Sequence, residues 1–101
     1  GAMKEFQAAI ALNGENADAH FNLAVLLGPQ NRVDEAIAHL RRVVEINPRN
    51  ADAYRNLALA YGLEGRLDEA VQQAREAVRL QPDSPEVRAQ LDRLLAAQSR
   101  R

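Results

Sequence analysis

The sequence predicts an all-α fold, an α-solenoid of antiparallel helix pairs. It reads as two whole 34-residue repeats flanked by an N-terminal half repeat and a C-terminal capping helix. Three observations predict this. The first is the apolar spacing over Ala51–Pro82. Tyr54, Leu57, Ala58 and Tyr61 mark one helix face at i, i+3, i+4, i+7, and Leu67, Ala70, Val71, Ala74, Ala77 and Val78 mark a second. The second is punctuation: Gly62 and Gly65 separate the two patterns and Pro82 stops the latter. The third is self-similarity. Pro48 and Pro82 close equivalent runs, and a shift of 34 lays ADAHFNLAVLLG on ADAYRNLALAYG and RVDEAIAHLRRVVEINP on RLDEAVQQAREAVRLQP.

The elements follow in order. Gly1-Ala2-Met3 reads as a cloning remnant, and residues 3–16 as the second helix of a broken repeat plus its break. Phe6, Ala9 and Ile10 form the buried side of that helix; Asn13–Asn16 is the break, with Asn16 the next N-cap. Repeat 17–50 opens with a helix over Ala17–Leu27, which Pro29 prevents from continuing. Asp34 and Glu35 then begin a helix ending near Ile46, since acids in a first turn complement the helix dipole. Asn50 caps repeat 51–84, whose helices span 51–63 and 67–80, and Asp68 and Glu69 repeat the first-turn acids. Ser84, Pro85 and Glu86 open the capping helix, 85–97, and residues 98–101 are expected to fray. Val87, Leu91, Leu94 and Leu95 give this helix one apolar side, and Arg88, Gln90 and Arg93 are assigned to its polar outer face. Asp92 stands where the whole repeats have Ala24 and Ala58, so no partner helix is expected after residue 97. The half repeat lacks its first helix, so Phe6 and Ile10 are expected to be incompletely covered, favouring a concentration-dependent dimer.

Composition narrows the function classes. The chain is nearly half apolar but only 4% aromatic, so its core is built of Ala, Leu and Val. Small residues let helices approach closely. A formal net charge of −1 with both signs abundant argues against a general nucleic-acid or membrane surface. Cysteine is absent, which leaves the redox compartment open. No apolar run is long enough to span a bilayer and no secretory leader is visible, so the compartment is unassigned.

The period and its marked places resemble the tetratricopeptide repeat, a helix–turn–helix unit of 34 residues. Its pattern runs aromatic, x2-Leu-Gly-x2-Tyr, Ala-x3-Phe, Pro. The second whole repeat fills those places with Tyr54, Leu57, Ala58, Tyr61, Ala70, Ala74 and Pro82, the first with His20, Leu23, Ala24, Leu27, Ala36, Leu40 and Pro48. The departures are Ala24 and Ala58 for Gly, Leu40 and Ala74 for the second aromatic, and His20 for the first. The resemblance covers essentially the whole chain. It implies stacked hairpins with an inner wall lined by first helices, and a function in binding other proteins.

Residues on that wall that are neither core nor turn recur with the period: Asp18 and Asp52, Phe21 and Arg55, Asn22 and Asn56, Val25 and Leu59, with Gln90 in the amide's place on the last helix. Packing does not call for a mid-helix Asn, a poor helix former. A primary amide both donates and accepts, so a row of them can hold a ligand backbone whatever its side chains. The row is similar to the asparagine ladder in the superhelix of O-linked N-acetylglucosamine transferases, which implies an extended peptide as guest. The competing account is that these asparagines simply stabilise the inner wall. Arg55 is read as the only clear cation there.

Catalysis is not expected. The sequence has no Ser/His/Asp set, no Cys nucleophile and no phosphate-cradling glycine loop. His20 and His39 have no acid or cysteine at ligand spacing, so neither a metal nor a cofactor is expected. Asp34-Glu35 and Asp68-Glu69 serve helix starts, and Arg41, Arg42, Arg75 and Arg79 form, with Glu45 and Glu76, a solvated outer face to which Gln73 also belongs. The expected function is a protein–protein interaction module holding a peptide of a partner in the concave groove. The alternatives are a structural self-assembly module and a substrate-recruiting domain of a larger enzyme.

Overall fold

The computed structural model describes residues 2–12 and 17–100, with the side chains of Ala8, Ile10, Ala11 and Leu12 outside the description. The expectations for Ile10, for the 13–16 break and for Asn16 as a cap therefore lie outside the described residues. Those residues form six α-helices and no strand: α1 Ala2–Leu12, α2 Ala17–Leu27, α3 Val33–Ile46, α4 Ala51–Leu63, α5 Leu67–Leu80 and α6 Pro85–Ser99. A 3₁₀ turn, Gly28–Gln30, follows α2. The chain divides into two compact units, Gly1–Asn50 and Ala51–Arg101.

In the first unit α2 packs on both α1 and α3. Leu23, Ala24 and Leu27 of α2 and Ala36, Ile37, Leu40 and Val43 of α3 are buried. Phe6 and Ala9 of α1 are half-buried. Pro29 has no N–H to continue the α ladder, so the chain tightens into 3₁₀ and then reverses through Asn31 at φ 62°. The Arg32 amide reaches back to the Leu27 carbonyl at 3.1 Å, satisfying one of the carbonyls that a helix end orphans.

In the second unit α5 packs on α4 and α6. Leu57, Ala58 and Tyr61 of α4, Ala70, Val71, Ala74 and Ala77 of α5, and Val87 of α6 are buried. The all-alanine stripe of α5 has no side chain beyond Cβ, which sets its neighbours close. The turn repeats the first one with Gly65 at φ 74° and an Arg66 amide bond to the Tyr61 carbonyl at 2.9 Å. Arg32 and Arg66 stand just ahead of α3 and α5 without capping side-chain bonds; each instead clamps the acid three residues on, Arg32 Nε to Glu35 at 2.9 Å and Arg66 Nε to Glu69 at 2.8 Å. These bonds raise both guanidinium pKa values and lower that of Glu35. Arg42–Glu45 and Arg79–Glu76 pair at i,i+3 on the outer faces.

Three expectations need correction. The last helix does not fray at residue 98. It runs to Ser99, because the Gln98 amide donates to Asp68 Oδ1 at 2.8 Å and Ser99 Oγ to the Ala96 carbonyl at 3.0 Å. Gln90 is not on an outer face, since its side chain is turned toward α4. Gln73 is half-buried rather than solvated. Ser84 caps α6 as expected, its Oγ accepting from the Val87 amide at 3.4 Å.

Candidate functional site

Four of the nine candidate groove residues lie in the first unit. Asp18 and Asn22 are exposed on α2, Phe21 is half-buried, and Val25 is 52% exposed. The other five lie in the second unit: exposed Asp52, half-buried Arg55, Asn56 and Gln90, and Leu59 at 56% exposed. An apolar side chain left that open on a packed helix has no role in the core of its own unit.

Within the second unit α4 and α6 together form a pocket of ≈ 570 Å³. Arg55 and Leu59 line it from α4; Pro85, Glu86, Ala89, Gln90 and Arg93 line it from α6. The lining is periodic in the sequence. Positions 86, 89, 90 and 93 are positions 52, 55, 56 and 59 shifted by 34, so corresponding turns of two equivalent helices face one cavity. Of the candidate residues, Arg55, Leu59 and Gln90 line this one pocket. Asp52 stays beside them, 3.6 Å from the Arg55 guanidinium. Asn56 does not line the pocket.

Gln90 plays a different part from the one its register suggested. Its Nε2 donates to the Arg55 main-chain carbonyl at 3.0 Å, tying α6 to α4. Its Oε1 is buried with no partner among the described residues. The amide is therefore a strut between the pocket walls rather than a group free to bind a guest backbone. Asn22 and Asn56 make no side-chain hydrogen bond among the described residues.

The pocket carries two guanidinium groups against one carboxylate. The sequence reading missed Pro85, Glu86, Ala89 and Arg93 as lining residues, and for Arg93, a second cation beside Arg55, the signal was present: it occupies the place of Leu59 one repeat on. Glu86 is held as a carboxylate by its own backbone amide, by the Ser84 hydroxyl at 3.1 Å and by the Arg55 charge, all of which lower its pKa. Exposed Leu59 and half-buried Ala89 give the cavity lining an apolar part beside the cations. Such a surface can take a side chain with an apolar body and an anionic end. Among the described residues no group of three or more His, Cys, Asp or Glu could hold a metal ion, and no helix is long and apolar enough to cross a membrane.

The family model for the tetratricopeptide repeat matches residues 1–48 and 26–85. No curated protein matches the chain. Among solved structures, it is similar to the first TPR of Spaghetti (RPAP3) bound to an HSP90 peptide, with a TM-score of 0.90 and 18% identity over 96% of this chain and 77% of that one. It is also similar to the MamA protein, with a TM-score of 0.91 and 21% identity over 96% of this chain and 53% of that one. YrrB, described as a TPR protein with an unusual peptide-binding site, gives a TM-score of 0.82 and 26% identity over 93% of this chain and 48% of that one. The chain thus spans about half the length of the MamA and YrrB chains. With 34-residue helix–turn–helix repeats in both sequence and structure, this chain belongs to the tetratricopeptide repeat family.

Proposed function

We propose that this chain is a non-catalytic protein-interaction module that holds a peptide segment of a partner along its first-helix wall. The observation that carries the reading is the α4–α6 pocket, where an exposed Leu59 lies beside Arg55 and Arg93. Two family members of the same fold give it precedent: one is bound to an HSP90 peptide and the other is described by its peptide-binding site. In this reading Leu59 and Ala89 take an apolar side chain, and Arg55 and Arg93 take a carboxylate next to it. In the second unit Asp52 and Asn56 extend the contact along the peptide main chain, and in the first unit Asp18, Phe21, Asn22 and Val25 offer the equivalent places on α2; the asparagines take the role that the transferase asparagine ladder implies. Gln90 supports the wall. Two whole repeats offer a small contact area, so affinity is at the weak end for specific interfaces.

The test is a peptide array probed with the labelled chain, followed by calorimetric titration of the strongest sequences. The reading expects enrichment of peptides that pair an acidic with an apolar residue. It expects Leu59→Asp to abolish binding, and Asn22→Ala with Asn56→Ala to weaken it, at unchanged helical content. Binding that survives Leu59→Asp, or an array with no such preference, contradicts it. Self-assembly through the half repeat makes the opposite prediction: substitution of Phe6 alters the oligomer and leaves peptide capture intact.

A further inference from the structure

The first hairpin contains a titratable contact that peptide binding does not use. His20 of α2 and His39 of α3 meet with their Nδ1 atoms 2.8 Å apart, ring centroids 5.0 Å apart and planes tilted by 37°. His20 is only 7% exposed and His39 is half-buried. The two are 19 residues apart, so only the hairpin brings them together. At the equivalent places the second hairpin has Tyr54 and Gln73, neither of which carries an imidazole.

The chemistry of such a pair depends on its proton count. Two neutral imidazoles bond through Nδ1 when one carries its proton there and the other carries it on Nε2. A first added proton goes to the unprotonated Nε2 of the donating ring and leaves the Nδ1–Nδ1 bond intact. A second has only the accepting Nδ1 to occupy. It sets N–H against N–H at bonding distance and places two like charges side by side in a largely buried site.

We propose that the His20–His39 contact is an acid-released latch, which holds α2 to α3 at neutral pH and lets them part when both rings are protonated. Burial first, and then the neighbouring His20 charge, hold His39 below its ordinary value of 6.5; Glu35, one turn earlier on α3, partly opposes them. Glu35 is itself engaged by Arg32, which limits that opposition. The other described charges on the packed elements are Lys4 and Glu5 of α1, Asp18 of α2 and Asp34 and Arg41 of α3, all exposed, and Arg42 of α3, paired with Glu45. A folded-state value below the unfolded one means that the unfolded chain binds more protons on acidification. The latch therefore contributes fully above 6.5 and is lost as pH falls through and below it.

The experiment is a ring-proton NMR titration of the two histidines in the unmodified chain from about pH 8 to about pH 4.5, with residue-resolved amide exchange along the same series. The expected result is one ring titrating clearly below 6.5, accompanied by loss of protection in α2 and α3 that α4 and α5 do not share. H20Y/H39Q, which copies the second hairpin's pair, is expected to remove that difference. Two rings titrating independently at the ordinary value, or two hairpins losing protection in parallel, overturns the proposal. The titration of the unmodified chain decides the matter even if H20Y/H39Q does not fold.

Discussion

The two hairpins, α2–α3 and α4–α5, solve one backbone problem with different side chains. Both reverse through a left-handed residue after the first helix and return an arginine amide to a carbonyl five residues back. The first uses Asn31 for the left-handed position and Pro29 to stop the helix; the second uses Gly65 and lets the α-helix run through Leu63. The arginine that follows makes the same clamp to an acid in each, but its surroundings differ. Arg66 lies 4.6 Å over the Tyr61 ring, whereas Arg32, with Leu27 in the tyrosine's place, reaches the Met3 sulfur at 3.8 Å. The difference teaches that the repeat conserves a hydrogen-bond skeleton and leaves the chemistry of each joint open. The first hairpin carries a histidine pair between its helices, and the wall of the second unit carries two arginines.

That comparison can be broken at several strengths. The largest effect is expected in the shared core. Leu57, 1% exposed, and Leu23, 2% exposed, hold equivalent places, and replacing either with Ala removes about 2–5 kcal/mol by loss of buried surface and creation of a cavity. Urea unfolding followed by circular dichroism checks it; equivalence fails if one of the two proves silent. The turn comes next. Gly65→Ala forces a Cβ into the left-handed region and costs about 1–2 kcal/mol, although the space around Gly65 is open. A neutral result there would mean that the conformation of the turn is free to change.

Smaller effects sharpen the contrast. A Cβ on Gly62 would stand 3.5 Å from Leu94 Cδ2, an ordinary contact, so Gly62→Ala is expected to raise stability by roughly 0.5 kcal/mol through reduced unfolded-chain freedom. A loss of stability would show that α6 cannot accommodate one added methyl. Asn31→Gly is the mildest. Asparagine already tolerates the left-handed region, and the melting profile should stay within about 0.5 kcal/mol of the starting chain.

The helices were legible in the sequence because their signals are local. Pro29, Gly65, Ser84 and the first-turn acids each act within one turn of the element that they start or stop. The 34-residue period supplied what a single window could not, the equivalence of α2 with α4 and of α3 with α5. What was missed depends on pairs far apart in the chain. The His20–His39 contact joins different helices, the Gln90 amide spends its donor on the Arg55 carbonyl 35 residues away, and Gln98 holds α6 helical through Asp68. Arg93 was legible by period, since it takes the place of Leu59, but its assignment to an outer face hid its role in the pocket.

The most direct test of the account is residue-by-residue mapping of a bound peptide. The ¹⁵N-labelled chain would be titrated with the strongest array sequence pairing an acidic and an apolar residue, and amide shifts recorded. The account predicts that the largest shifts fall on Arg55, Leu59, Ala89 and Arg93, and that they vanish in the Leu59→Asp chain. Shifts centred on the outer faces of α3 or α5, with that wall unmoved, would contradict it.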